Sequence, residues 1–518
     1  MKKWVVTIVL FFLLATVFKA PVSAGKFFNP GADGTPGTWY VGATPDHLDP
    51  NAPVILFVQG LNSSASTWFD NNDMYVTAYN AGFQTAFVEL FDAGGTSEDM
   101  WDNGHLLAEL IEEIYQYFGK PLVLVTHSKG GIDAQTALVH YGVYPYVSNV
   151  ITLSSPHFGS ELADLAYSSW AGWLAGILGS RSDATYSLQT SYMNYFRSIT
   201  DQHPNVNKNN YYTFAGTKWG SFGSSLYWGG LYLSQYGPND GAVTVERAFL
   251  PNGTMVKVGD WNHFTIKEGS STFSFFAPYL TTSTSMASAQ MAAATVEDIA
   301  ITDQSLTSGQ IIRGGPFKEA GTESFLVEKG VETLTINWMS DVPVDTLEVI
   351  GPNGKRETVT VERIEDKGIF AGAWHHVAVL QKPNAGTWKV YASDDDAQAY
   401  LLVVSLQSDI SNDLVLQNKH RKKIWKLETK QKKVREKETK ATYSVDFTPY
   451  QNGNSIKNRK KLKIKEPISI ASEITLPTVT EAGTYQITVE IKGKTKDGYP
   501  FERTLLKSVY KDEYGNFY

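Results

Sequence analysis

Ser128 stands in the run Leu122-Val123-Leu124-Val125-Thr126-His127-Ser128-Lys129-Gly130-Gly131. A serine there could carry acyl transfer. Its hydroxyl is a weak nucleophile until a base takes the proton, and an imidazole base needs a carboxylate to fix its tautomer. The 518 residues include no cysteine. That removes thiolate nucleophiles, disulfides and cysteine metal sites together, and leaves histidine as the natural base. Of ten histidines, His375, His376 and His420 fall in the C-terminal part. His47 and His105 precede the serine, and His140 lies on the helix after it. His127 adjoins it at a tight turn and reads as structural. His157 and His203 flank a segment of different character. His263 remains, in the loop Gly259-Asp260-Trp261-Asn262-His263-Phe264. When a serine occupies a strand–turn–helix elbow, the carboxylate and then the histidine follow it along the chain. That order selects His263 as base and Asp240, in the turn Pro238-Asn239-Asp240-Gly241, as its partner. Asp260 competes for the role, but three residues from His263 it is too local to orient the ring.

Acyl transfer also needs N–H donors aimed at the developing oxyanion. The amide of Lys129, next after the nucleophile, supplies one. The loop after an early strand supplies the other, assigned to Leu61, with Gly60 letting the backbone come close. Backbone donors leave the Lys129 side chain out of the chemistry. No carboxylate cluster has metal-ligand spacing, so no catalytic metal and no cofactor is expected; a structural calcium ion stays open.

These residues need elements to hold them. Residues 122–125 form an apolar run after Pro121, the pattern of a strand buried on both faces of a parallel sheet. Residues 130–139 read as helix. Thr126 stands where the G-x-S-x-G elbow has its first glycine. Further strands are predicted at 53–58, 84–90, 147–153, 211–216 and 254–258. A helix over 97–118 places Leu106, Leu107, Leu110, Ile111, Ile114 and Tyr115 at helical spacing. Residues 25–52, rich in Gly, Pro and Asp, read as an extended lead-in, and 272–280 closes the unit. Alternating strands and helices predict an α/β fold with a mostly parallel sheet. Residues 165–178 and 222–236 are apolar and aromatic. They read as core helices of a cap, or more sharply as a lid that meets apolar substrate.

Chain length suggests three domains. Lys2-Lys3, an apolar run over 4–18 and Val22-Ser23-Ala24 form a signal peptide (1–24) cleaved after Ala24, so the protein is expected to be secreted. The catalytic domain covers 25–280 and a Thr/Ser/Ala/Met linker 281–296. Beyond it the apolar period becomes two, at Leu334, Ile336 and Trp338, predicting β-sandwich modules over 297–408 and 409–518. Ala385-Gly386-Thr387-Trp388-Lys389-Val390 echoes Ala482-Gly483-Thr484-Tyr485-Gln486-Ile487, each late in its module. Between Lys419 and Lys465 lie 17 Lys and Arg against 4 Asp and Glu, in a chain of net charge −8. Its run Lys419 to Lys440 is expected as helix or solvated loop. The strip either solubilises the chain or holds it to an anionic cell surface; nucleic acid suits an exported hydrolase poorly.

Four segments carry a resemblance over about residues 53–280: V-Q-G-L-N-S-S at 58–64, T-H-S-K-G-G at 126–131, S-S-P-H-F-G-S at 154–160, and N-D-G-A-V-T-V at 239–245 with W-N-H-F at 261–264. Together they resemble a secreted bacterial lipase or esterase of the α/β-hydrolase fold. That family usually has His-Gly where Gln59-Gly60 stands here, and Gly or Ala at Thr126. The resemblance implies an α/β-hydrolase domain with a cap or lid, followed by modules similar to immunoglobulin-like domains. It implies hydrolysis of carboxylic esters, acylglycerols foremost, through an acyl-enzyme on Ser128, with lipid or another ester as partner. Two alternatives stand beside it. One is an extracellular polyester depolymerase with the same triad. The other is a surface-binding protein whose hydrolase domain is inert.

Overall fold

The apolar runs of the first half form strands that lie side by side. These are β1 (Lys26–Phe27), β2 (Trp39–Val41), β3 (Val54–Val58), β4 (Thr85–Val88), β5 (Leu122–His127), β6 (Val147–Leu153), β7 (Asn210–Gly216) and β8 (Thr254–Gly259). They make one sheet in the order β1-β2-β4-β3-β5-β6-β7-β8. Every neighbouring pair is parallel except β2 and β4. The lead-in expected over 25–52 therefore also supplies an edge to the sheet. The structure, a computed structural model, describes residues 26–27, 34–95, 97–281, 308–357, 361–411, 413–420, 422–450 and 462–518. The leader, nearly all of the linker and part of the basic strip fall outside the described residues.

Among the described residues ten α-helices accompany these strands: α1 (Met74–Asn80), α2 (Met100–Phe118), α3 (Gly130–Val139), α4 (Glu161–Tyr167), α5 (Gly172–Leu178), α6 (Asp183–Ser187), α7 (Thr190–Thr200), α8 (Ser225–Leu233), α9 (Val245–Ala248) and α10 (Gly269–Phe276). Side chains alternate across a strand. Val54, Leu56, Leu122 and Leu124 therefore face α2 and α3, meeting Leu107, Leu110, Ile111 and Leu138. Ile55, Phe57, Val123 and Val125 face α1 and α10, meeting Met74, Ala78, Phe273 and Phe276. Each such side chain contributes about 1.5–3 kcal/mol by burial. The helix expected from residue 97 starts at Met100, because the Asp99 carboxylate accepts from the amides of Trp101 and Asp102 and caps it.

The second half is antiparallel throughout. The first module contains β9 (Ser308–Pro316), β10 (Glu319–Val327), β11 (Thr333–Ser340), β12 (Thr346–Ile350), β13 (Arg356–Glu357), β14 (Glu362–Glu365), β15 (Trp374–Gln381), β16 (Gly386–Asp394) and β17 (Ala399–Gln407). Its sheets, β10-β16-β12-β13 and β14-β15-β11-β17-β9, close on a core with Trp338 and Trp388. The second contains β18 (Leu414–His420), β19 (Ile424–Thr429), β20 (Lys440–Pro449), β21 (Leu462–Ser469), β22 (Glu473–Thr475), β23 (Gly483–Lys494) and β24 (Pro500–Lys511). Its sheets are β18-β19-β22 and β21-β20-β23-β24. The two echoing segments open β16 and β23, and their aromatics Trp388 and Tyr485 are buried in the respective cores.

Within the basic strip, residues 430–439 are a largely exposed loop with one 3-10 turn at Glu436–Glu438, while most of the other described residues are not loop or helix. These belong to β18, β19, β20 and β21. Period two explains this: Trp425 and Leu427 point inward while Lys426 and Glu428 pair outside at 2.9 Å.

A third core joins the halves. Leu165, Ala171, Leu174 and Ala175 of the proposed lid, with Trp228 and Tyr232, pack against Ile312, Met339, Phe370 and Leu401 of the first module and Tyr510 of the second. In this state residues 165–178 are core, as the blander reading had it, although Trp173 and Ile177 reach solvent.

Candidate active site

Ser128 sits on the one-residue turn between β5 and α3 with φ 53. Its amide donates to the Leu153 carbonyl at 3.0 Å and fixes the turn to β6. Left-handed backbone at a non-glycine residue is rare and is tolerated where surrounding structure holds it. Glycine is needed where chains close on the turn. A Cβ on Gly60 would lie 2.8 Å from Ser128 Cβ, and one on Gly130 would lie 2.2 Å from the Gln59 carbonyl oxygen.

The structure brings together the three residues selected from sequence. His263 Nε2 lies 3.1 Å from Ser128 Oγ, and His263 Nδ1 lies 2.8 Å from Asp240 Oδ2. Asp240 is buried, and its other oxygen accepts from the amides of Ala242 (2.9 Å) and Val243 (2.7 Å). The His263 amide donates to the Asp240 carbonyl at 3.0 Å. A carboxylate held this way accepts a hydrogen bond from Nδ1–H, which fixes the tautomer and leaves Nε2 to accept from the serine hydroxyl. Asp260 does not compete: its side chain is 82% exposed and 3.7 Å from Lys218.

His127 is structural, with a definite job. Its Nε2 donates to the His263 carbonyl at 2.7 Å, and the two rings lie 4.7 Å apart. Burial, with His263 and Lys267 nearby, drives its pKa well below the ordinary value, so the ring stays neutral beside the base.

Leu61 and Lys129 flank the nucleophile, and among the described residues no group accepts a hydrogen bond from either amide. The Lys129 side chain runs inward instead. Its Nζ is 3.0 Å from Asp92 Oδ2 and 3.0 Å from Asp133 Oδ2, all three residues being buried. Burial opposes the Lys129 charge, but Asp133 and Asp92 outweigh it and raise the pKa. Burial, opposed by Lys129, pushes the Asp133 carboxyl up to about 8. Gln59 is buried too, and its amide joins the Val88 carbonyl (2.8 Å) and the Leu90 amide (2.7 Å) at the end of β4.

Above Ser128 lies a cleft of about 520 Å³. Its lining mixes apolar Leu162, Leu188, Leu226, Trp228, Val243 and Phe264 with polar Asn62, Ser63, Asp70, Asn71 and Lys267. The sequence reading missed the remaining boundary. Residues 366–370 of the first β-module reach into the cleft. Asn62 Nδ2 donates to the Gly368 carbonyl at 3.1 Å, and the Phe370 ring meets Trp228 at 6.1 Å. Asp366 braces this loop, with Oδ2 2.8 Å from His375 Nε2. Residues 366–370 form an ordinary turn in a β-module, so nothing local marked them.

No protein-family model matches the chain. The crystal structure of Bacillus licheniformis lipase BlEst2 in propeptide form is 39% identical, covers 93% of this chain and 99% of that one, and superposes with a TM-score of 0.79. The same lipase in mature form is 54% identical over 48% of this chain and 99% of its own, with a TM-score of 0.45. Triacylglycerol lipase 2 of Saccharomyces cerevisiae is 31% identical over 129 residues. That match spans 24% of this chain and 39% of the yeast protein.

Proposed function

This chain belongs to the family of the Bacillus licheniformis lipase BlEst2, carboxylic ester hydrolases of the α/β-hydrolase fold, and from that premise we propose that it is a secreted serine hydrolase acting on acylglycerols. The observation that carries the chemistry is the continuous relay from Ser128 Oγ through the His263 ring to Asp240, at 3.1 and 2.8 Å. His263 takes the hydroxyl proton as Oγ attacks the acyl carbon. The amides of Leu61 and Lys129 receive the oxyanion. His263 then returns the proton to the departing alkoxide, and the acyl group stays on Ser128. Water, activated by the same imidazole, attacks the acyl carbon and releases the acid. The apolar residues lining the cleft and the likeness to a yeast triacylglycerol lipase support acylglycerols over a polyester. The charged and apolar pattern of residues 2–24 supports export. The test is fluorophosphonate labelling of the full chain with turnover of emulsified triglycerides, short soluble esters and polyester films. Ser128→Ala should lose both label and turnover while staying folded. A folded wild type that takes no label would mean an inert domain, and turnover confined to the films would mean a depolymerase.

A second reading rests on residues 366–370 standing in the cleft. The full chain is a precursor whose C-terminal modules cover the site, as the propeptide form of the related lipase suggests. The basic strip adds a further role: Lys422, Lys423, Lys432 and Lys433 hold the chain to an anionic cell surface. Retention of the full chain on anionic vesicles should weaken steeply with salt. Equal retention after those four become Gln would remove this role.

A further inference from the structure

The cleft lining holds both apolar and polar residues, and the position of His263 decides where the alcohol part of an ester leaves. His263 Nε2 must hand its proton to the departing alkoxide, so the alcohol portion leaves beside the residues that follow His263. The segment after Leu61 and the turn Thr265–Lys267 stand there, tied together by Asn72 Nδ2, which donates to the carbonyls of Thr67 (2.8 Å) and Lys267 (3.2 Å). The acyl chain is left with Leu162, Leu188, Leu226 and Trp228.

Within this part of the cleft, Lys267 is out of balance. It is half-buried, yet its ammonium forms no ion pair among the described residues, and its one hydrogen-bond partner there is the Thr67 hydroxyl. Its ammonium also lies 5.8 Å from the centroid of the Phe264 ring, an attraction that supplies no counter-charge. A charge withdrawn from water without a counter-charge is costly. Burial accordingly pulls the amine down to about 8, with Glu268 opposing. The other charged groups lining the cleft do not neutralise it: Lys367 is a second, exposed cation, Asp70 is exposed, and Asp366 is engaged by His375 and the Gly368 amide. His127, the neighbouring titratable ring, is held neutral.

We propose that Lys267 is a specificity residue whose ammonium binds an anionic group, a phosphate or a sulfonate, carried by the alcohol portion of the ester. This rests on the serine-hydrolase reading, and it adds to that reading a preference for esters with an acidic headgroup next to the scissile bond.

The experiment compares 2-sulfoethyl butyrate with 2-hydroxyethyl butyrate on the full chain, whose cleft still has room for a short ester. The sulfonate keeps one charge at all working pH values. The ratio of kcat/KM, anionic over neutral, should fall about tenfold in Lys267→Met, the size of one charge-assisted hydrogen bond. The fall should come through KM, and Lys267→Arg should restore the ratio. In the wild type the ratio should decline as pH rises through about 8 and the amine loses its charge. An equal ratio in wild type and Lys267→Met overturns the proposal. If Lys267→Met does not fold, the wild-type pH series decides, and a ratio that stays flat overturns it. 1-Butyrylglycerol 3-phosphate distinguishes the source: a larger ratio than the sulfonate gives assigns a phosphate headgroup, and an equal one assigns anions in general. Turnover of neither ester by folded wild type would overturn the hydrolase reading itself; turnover of both with an unresponsive ratio would overturn only the role of Lys267.

Discussion

At Asp240 both carboxylate oxygens have fixed partners. Oδ1 accepts from two amides and Oδ2 faces the imidazole. Asp240→Asn keeps the carbonyl oxygen on the amides and so aims its NH2 at His263 Nδ1. The ring must then put its proton on Nε2, facing the serine. Turnover should drop on the order of 10³–10⁴-fold with little loss of stability. Asp260→Asn should stay near wild type, and kcat for a soluble ester checks both. Several buried histidines, His127 and His157 among them, contribute to the acid limit of stability, and two more act in the accessible range. Burial, with His203 and Arg197 nearby, lowers His140 to about 4, and burial lowers His376 to about 4. The native state therefore binds fewer protons than the unfolded chain between these values and the ordinary histidine pKa. Their stabilisation is complete above about pH 6.5 and is lost as pH falls toward 4. Urea unfolding across that interval should show the decline, and His140→Gln should make it shallower.

Among the elements, the cap shows how one sequence pattern can serve two roles. α5 buries Leu174 and Ala175 against β9 and β17 and turns Trp173 to solvent, 58% exposed. Leu174→Ala should cost about 2–5 kcal/mol, the usual cost of removing a buried leucine. Trp173→Ser should change stability little. Denaturant midpoints separate the two. If the modules are removed, Leu174 loses its partners there, and the penalty measured on the freed catalytic part should shrink.

For the whole molecule, the joint core and the loop at 366–370 make the modules part of the catalytic surface. Cleavage within residues 282–307, followed by release of the modules, should raise the rate on triglyceride emulsion by an order of magnitude or more, because a bulky substrate cannot share the cleft with Ile369 and Phe370. Replacing 367–370 by a Gly-Ser run in the uncut chain should recover part of that rise. Rates of cut, uncut and loop-replaced protein on one emulsion provide the comparison.

The sequence by itself determined the features that are local in the chain. A strand buried on both faces needs an unbroken apolar run, and a nucleophile on a tight turn needs a strand before it and a helix after it. Residues 122–139 satisfy both within one stretch. The order Ser128, Asp240, His263 follows from how such a sheet is wound. Only the tertiary structure could decide what depends on distant partners. Asp240 and Asp260 look alike in sequence, and what separates them is that one is buried against two amides while the other stands in water. The Lys129 side chain appeared unused because Asp92, which holds it, lies 37 residues away. The basic strip looked like a solvated run because charge dominates its composition. Residues 430–439 are indeed such a loop, but 424–429 form a strand because alternate residues, Trp425 and Leu427, find a core to enter. The loop at 366–370 gave no local sign, since Asn62 meets Gly368 across 306 residues. Periodicity records which side of an element is buried. It does not record what buries it, and here a module at the far end of the chain does so.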